Sequence, residues 1–228
     1  MERHQIIDSL KGGLVVSCQA DPGDPFEGSQ FMAAFAQCAA SGGAVGIRAN
    51  GPDDIAAIKY VVDLPVIGLY KIDLPGYAVR ITPTIDSVKA IADAGADIIA
   101  LDATNRPHPN NLSSEEMIRL AVKETGLPIL ADISTYEEAI AAEQAGVDAV
   151  STTLSGYTPY SPQIESPDFE IIRKCSEKLS IPVFAEGRIA TPDQARFAIE
   201  LGAYAVIIGT AITRPTWIVK QMAKGIQK

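Results

Sequence analysis

Lys71 ends the apolar run VIGLYK. Loss of water disfavours an ammonium, so a lysine held among apolar side chains titrates lower, in the range useful for proton transfer or Schiff-base chemistry. A plainer alternative is a lysine that escapes to solvent, or pairs with Asp73 in the same loop. Glu186 ends a second apolar run, in PVFAEGRIAT. A carboxylate there can orient a hydroxyl, accept a proton, or keep a neighbouring lysine protonated. Gly187 and Arg188 follow directly with backbone amides and a guanidinium, and IIGTAITRP puts Gly209 and Thr210 in a second glycine turn before a helix. Amides at helix N-termini suit an anion.

Further polar residues end other apolar runs. Arg48 in VGIRANG and Arg214 in AITRP can add positive charge, and Gln19 can hydrogen-bond a neutral sugar group. Asp132 in LADIST and Asp102 in ALDAT can bind hydroxyls or hold Lys71, and Asp132 is preferred because its flanks carry no competing polar group. Cys18 lies in an apolar strand with no histidine near it in sequence, which describes an inert buried thiol. His108 reads as a loop residue. Trp217 and Met222 read as the apolar face of a final helix.

The elements that must position these side chains are visible as eight short apolar runs: Leu14 to Gln19, Val45 to Ala49, Val66 to Lys71, Ile98 to Asp102, Ile129 to Ile133, Ala149 to Thr153, Val183 to Glu186 and Ala205 to Gly209. Segments of helical spacing separate them. Three of these share one plan, with a capping threonine 11 residues before a helix-ending glycine: Thr84 and Gly95, Thr135 and Gly146, Thr191 and Gly202. Strands alternating with helices run parallel, and eight right-handed returns close a barrel. An open doubly wound sheet is the competing fold, but CQADPGDPFEG after the first run is not its G-x-G-x-x-G turn. The expected fold is therefore a single (β/α)8 barrel domain over residues 1–228, with no room for a cofactor domain. Its active site belongs at the C-terminal mouth. A ring of Gln, Arg, Lys, Asp and Glu at one end of an apolar barrel is costly to bury without a task. Glycine turns after strands seven and eight are this fold's recurrent phosphate site. Two loops, ADPGDPFEGSQ and LSGYTPYSPQIESPD, look longer than the rest.

Composition narrows the function. With 28 acidic against 19 basic residues, a formal charge of -9 argues against nucleic acid or an anionic membrane as the main partner. The scarce Arg and Lys are expected to gather at the mouth, and the acidic excess on the outer helices. Three cysteines without a C-x-x-C pair support neither a disulfide framework nor structural zinc, and two histidines nearly exclude an imidazole metal site. The N-terminal segment has no signal-peptide pattern and no run has membrane-spanning length, so a mature cytoplasmic protein is expected.

VGIRANG, GLYK, ALDAT, LADIST, STTLSGYT, FAEGRI and VIIGTAITRP occur in that order over nearly the whole chain. Together they resemble the bacterial N-acetylmannosamine-6-phosphate 2-epimerases of sialic-acid catabolism, barrels of the ribulose-phosphate-binding type. The resemblance implies interconversion of N-acetylmannosamine 6-phosphate and N-acetylglucosamine 6-phosphate without cofactor or metal. It makes Lys71 the acid/base residue at C2 and Glu186 its carboxylate partner. Gln19, Arg48, Asp132 and Arg214 fall at substrate-binding positions, and the turns carrying Gly187, Arg188, Gly209 and Thr210 at the phosphate. It is compatible with a homodimer. A Schiff-base aldolase or another phosphosugar isomerase is the competing enzyme. A catalytically silent phosphosugar-binding protein is the competing non-enzyme, and it expects loss of Lys71 or Glu186.

Overall fold

The computed structural model describes residues 3–226. Eight parallel strands close into a barrel in sequence order: β1 (Leu14–Cys18), β2 (Gly46–Asn50), β3 (Val66–Leu69), β4 (Ile98–Asp102), β5 (Ile129–Asp132), β6 (Ala149–Ser151), β7 (Val183–Glu186) and β8 (Ala205–Ile208), with β8 pairing back to β1. A short helix, α1 (Arg3–Asp8), precedes β1. The connecting helices are α2 (Ser29–Ser41), α3 (Pro52–Val61), α4 (Ile85–Asp93), α5 (Ser114–Thr125), α6 (Tyr136–Ala145), α7 (Phe169–Lys178) and α8 (Pro192–Glu200); α9 (Thr210–Thr213) and α10 (Pro215–Ile226) end the chain. Residues 1, 2, 227 and 228, included in the expected domain, lie outside the described residues. Among the described residues no helix is long and apolar enough to cross a membrane.

The three repeated units form as their spacing demands. Thr84, Thr135 and Thr191 cap α4, α6 and α8 by accepting from the amides of Ser87, Glu138 and Gln194. Gly95, Gly146 and Gly202 turn the chain out of these helices at φ of 98, 93 and 97°. The prolines before β3, β5 and β7 lend carbonyls to the neighbouring strands: Pro65, Pro128 and Pro182 accept from Ile47, Ile99 and Val150.

Strand residues alternate between two cores. Ile47, Ile99, Ala131, Val150, Ala185 and Val206 face the helices. Val15, Ile67, Leu69, Ile98, Ala100, Leu130, Ala149, Phe184, Ala205 and Ile207 fill the barrel, and Ile7 and Leu10 pack into the same cluster. Two residues further along each inward row come Ser17, Lys71, Asp102, Asp132, Ser151, Glu186 and Gly209. Alternation alone therefore carries polar side chains to one end of the barrel.

Several expected boundaries differ. The β6 strand stops at Ser151 and Thr152–Leu154 form a 3-10 turn, where an extended strand had been expected through Thr153. The β3 strand stops at Leu69, and Lys71 forms an isolated antiparallel bridge with Ile81. The connections at 70–84 and 103–113 are long as well as the two expected ones, so the mouth has four long loops. Basic residues are not confined to the mouth: Lys89, Arg173, Lys174 and Arg196 pair with acids on the outer helices.

Candidate active site

Arg48, 1% exposed, spans the barrel interior from β2 to β5 and β7. Its Nη2 donates to Asp132 Oδ2 at 2.6 Å, while Nη1 donates to Asp132 Oδ1 at 2.9 Å and to Glu186 Oε2 at 2.7 Å. Burial works against the guanidinium charge, but Asp132 and Glu186 outweigh it and hold its pKa above the usual arginine value. Asp132 has no exposed surface. Neither Arg48 nor Asp132 lines the large cavity at the mouth. Arg48 and Asp132 form a buried ion pair, and Arg48 extends it to Glu186.

Glu186 does line that cavity, whose volume is about 1070 Å³. Its main chain is pinned by Thr152, whose Oγ1 donates to the Glu186 carbonyl at 2.8 Å and accepts from the Glu186 amide at 3.0 Å. Its carboxyl lies 2.9 Å from Thr153 Oγ1 and 3.3 Å from Ser151 Oγ. Burial raises the Glu186 pKa, Arg48 opposes the rise, and Asp132 adds to it; the carboxyl ends above the ordinary range. That shift favours the protonated form of the carboxyl.

Lys71 lines the same cavity. Asn50 fixes its backbone, with Oδ1 accepting from the Lys71 amide at 2.8 Å. Its Nζ has no hydrogen-bond or ion-pair partner among the described residues. Asp73, the surface partner considered from the sequence, pairs with Arg80 instead. Burial lowers the Lys71 pKa and Arg48 lowers it further, while Asp21 and Glu186 pull part of the way back. An unpaired, partly desolvated amine on a cavity wall is equipped to take a proton from a bound molecule.

Two turns at the mouth offer backbone donors. Gly187 has φ 116°, a conformation glycine adopts readily, and Arg188 follows in the left-handed region at φ 59°. Gly209 leads into α9, and a Cβ there would meet Ser17 Cβ at 3.1 Å. The amides of Gly187, Arg188, Gly209 and Thr210 have no acceptor among the described residues, and all four residues line the cavity. The Arg188 guanidinium, expected to face an anion, donates to the carbonyls of Ser155 and Ser166 and so clamps the β6–α7 loop. Arg214 lines the cavity and pairs with Asp21 and Asp24 of the β1–α2 loop. Gln19 donates to Ser17 Oγ at 2.8 Å, and its Oε1 is buried without a partner among the described residues, leaving an acceptor beside the cavity.

Four participants were not singled out from the sequence. Asn50, Ser17 and Ser151 sit at or near strand ends, the latter two on inward rows, and counting by twos along each strand finds them. Arg106 donates to Asp102 Oδ2 at 2.6 Å, and both line the cavity, although Asp132 had been preferred over Asp102. The polar group that meets Asp132 is Arg48, remote in sequence. His108 is in a loop but has no exposed surface; its ring nitrogens lie 3.2 Å from the Pro83 carbonyl and 2.9 Å from that of Asp102. Cys18 is buried, and burial pushes its thiol up to about 12. Among the described residues no cluster of three or more His, Cys, Asp or Glu is arranged to hold a metal ion.

Comparison with known proteins gives a consistent outcome. Residues 32–228 match the family model described as "Putative N-acetylmannosamine-6-phosphate epimerase". A protein of Caldanaerobacter subterraneus subsp. tengcongensis, described by that name as a 2-epimerase, is 51% identical over 98% of this chain and 94% of its own length. One of the same description from Clostridioides difficile is 46% identical over 97% and 99%. The solved structure of the N-acetylmannosamine-6-phosphate 2-epimerase from Clostridium perfringens superposes with a TM-score of 0.95 at 43% identity, covering 99% of this chain and 98% of that one. A thiamine phosphate pyrophosphorylase from Pyrococcus furiosus, at 18% identity and a TM-score of 0.59, shares the fold. The chain belongs to the N-acetylmannosamine-6-phosphate epimerase family.

Proposed function

We infer that this protein interconverts N-acetyl-D-mannosamine 6-phosphate and N-acetyl-D-glucosamine 6-phosphate by removing and restoring the proton at C2, a step of sialic-acid and amino-sugar catabolism. The observation that carries this is the unpartnered amine of Lys71 on the wall of the cavity that Glu186 also lines, within electrostatic reach of it. A C2 proton is acidic only beside a free aldehyde, so the sugar ring opens first. Glu186 as the neutral acid delivers a proton to the ring oxygen as the C1–O bond breaks, and the anomeric hydroxyl gives its proton to solvent to leave the C1 aldehyde. Neutral Lys71 then takes the C2 proton, the C–H electron pair moves into an enediolate, and a proton returned to the opposite face gives the epimer. Apart from the C1–O cleavage that opens the ring, every step is a proton movement, and no redox partner is needed.

The free amides at Gly187, Arg188, Gly209 and Thr210 suit the 6-phosphate, with Arg214 adding charge once it leaves Asp21 and Asp24. Gln19 Oε1 accepts from a sugar hydroxyl or the acetamide N–H. Arg48 and Asp132 act by holding Glu186. We place the protein in the cytoplasm, in keeping with its three free cysteines and a phosphorylated substrate. It is taken to work as one barrel domain. A homodimer is supported by α10, which has no buried residue and exposes Val219 and Met222 at 65% and 68%. Incubation with N-acetylmannosamine 6-phosphate and identification of the product by NMR tests the activity. The expected product is N-acetylglucosamine 6-phosphate, and unchanged substrate or cleavage to smaller fragments would contradict the assignment.

A further inference from the structure

The pairing of β3 with β4 stops short of the mouth. Ile67 faces Ile98 and Gly68 faces Ile99, and the same register carried on for three more steps would set Lys71 directly beside Asp102. Both stand on inward rows, and adjacent strands lie about 4.8 Å apart, so the ammonium and the carboxylate would meet as an ion pair. Instead the connection after β3 folds back and puts residues 80–82 between the two strands. Lys71 forms its antiparallel bridge with Ile81, Ile72 donates to the Arg80 carbonyl at 3.0 Å, and Thr82 donates to the Tyr70 carbonyl at 2.8 Å. On the other side the Asp102 amide donates to the Ile81 carbonyl at 3.0 Å. The backbones of Lys71 and Asp102 are thereby two strand spacings apart, about 10 Å. Residues opposite one another in an antiparallel pair share a face, and the Ile81 side chain accordingly lies in the cluster that fills the barrel and lines the cavity together with Lys71 and Asp102.

The inserted piece is pinned by a strained residue. Thr82, with no exposed surface, has φ 48°, an uncommon conformation for a β-branched side chain. Its Oγ1 donates to the Ala100 carbonyl of β4 at 2.6 Å and accepts from the Tyr70 amide at 3.1 Å, so one side chain ties the insertion to the chain on both sides. Asp102 finds its partners elsewhere: Oδ1 accepts from the Thr104 amide at 3.0 Å and hydroxyl at 2.6 Å, and Oδ2 from Arg106. We propose that Ile81, held in place by Thr82, is a positioning residue that keeps the Asp102 carboxylate from pairing with Lys71, so that the amine stays free to take a proton. The charged groups acting most on that amine are Arg48 of β2, Asp21 of the β1–α2 loop, Glu186 of β7 and Arg214 beyond α9. Asp102 and Arg106 stand on the far side of Ile81, and Arg80 of the insertion pairs with Asp73.

The proposal rests on the epimerase assignment only for what the free amine does; the separation from Asp102 concerns the unliganded protein. Acetylation of Lys71 by acetic anhydride in the folded protein, followed against pH by mass spectrometry of the peptide that carries it, reports the midpoint of the amine. Ile81→Ala opens the way to Asp102 and should raise that midpoint by about one pH unit, the lower end of what an adjacent opposite charge produces. Ile81→Ala combined with Asp102→Asn should fall back toward wild type, and Ile81→Val should titrate as wild type. An unchanged midpoint in Ile81→Ala overturns the proposal, as does a double variant as high as the single one, since that marks entry of water rather than the carboxylate. Asp102→Asn alone cuts no core side chain and serves where Ile81→Ala fails to fold. With Ile81 in place the midpoint should not move, and a fall of about one unit would show that the carboxylate already acts on Lys71. Wild-type turnover of N-acetylmannosamine 6-phosphate, measured alongside, separates failure of the epimerase assignment from failure of the Ile81 role.

Discussion

Arg48 and Glu186 are joined by a 2.7 Å hydrogen bond from Nη1 to Oε2, made by a guanidinium that is 1% exposed and equally bound to Asp132. One buried cation therefore faces two carboxyl groups. Its attraction limits how far burial can raise the Glu186 pKa, and its repulsion pushes the Lys71 pKa down. A single side chain adjusts both groups assigned to the proton transfers while staying out of the cavity.

Removal of Arg48 should accordingly be felt in stability as well as rate. Arg48→Met leaves Asp132 buried and unpaired, a situation that typically costs about 3–5 kcal/mol. Urea denaturation at neutral pH measures it, and Arg48→Met combined with Asp132→Leu should recover part of the loss because no orphan charge is left. A single-variant loss below about 1 kcal/mol would mean the pair is not the buried support described.

Lys71 should be a liability to the fold. Its folded pKa is depressed below the ordinary lysine value of 10.5, so the unfolded chain binds more protons between the two values and wild-type stability gains from this group as pH rises. Lys71→Met removes the penalty. The variant should melt above wild type at neutral pH, with the advantage shrinking as pH climbs toward 10.5. A variant less stable than wild type at neutral pH would contradict the desolvated amine.

The anion turns make a different prediction. Gly187→Ala forces a side chain into φ 116°, at about 1–3 kcal/mol of strain, and misaligns the neighbouring amides. Arg214→Ala removes charge without touching those amides. Both should raise KM for the phosphosugar more than they lower kcat, since they act on a group that does not change in the reaction. Unchanged kinetics in both variants would put the phosphate elsewhere.

Cysteine chemistry offers a simple check of the core. Cys18 and Cys175 are buried and pushed up to about 12, whereas Cys38 is exposed. Mild alkylation of the native protein should modify Cys38 alone and leave activity intact. Loss of activity on modification of Cys18 would return that thiol to the site.

The barrel was legible because its signals are local and repeated: apolar runs recur eight times, and in three units a capping threonine and a closing glycine formed where their spacing indicated. The polar ring at the mouth followed from the same alternation. What the sequence hid was the pairing across the barrel. Nothing in VGIRANG says that Arg48 turns toward Asp132, because the two stand 84 positions apart and are brought together by barrel closure alone. The turn at Thr152 and Thr153 was hidden for a related reason: threonine favours strands, and only the anchoring to Glu186 shows why the strand ends early. Arg188 likewise carried a phosphate-binding signature in sequence, while its guanidinium is spent on loop carbonyls that come from residues remote in the chain.

Lys71 is the group assigned to move the C2 proton, and its removal is the most direct test. Wild-type protein and Lys71→Ala, both shown folded by circular dichroism, are incubated with N-acetylmannosamine 6-phosphate in deuterated buffer, and the C2 proton signal is followed by NMR. In the wild type it should exchange for deuterium as N-acetylglucosamine 6-phosphate accumulates, and in Lys71→Ala both exchange and product should be abolished. Wild-type exchange in Lys71→Ala would remove the lysine from the mechanism and contradict the account.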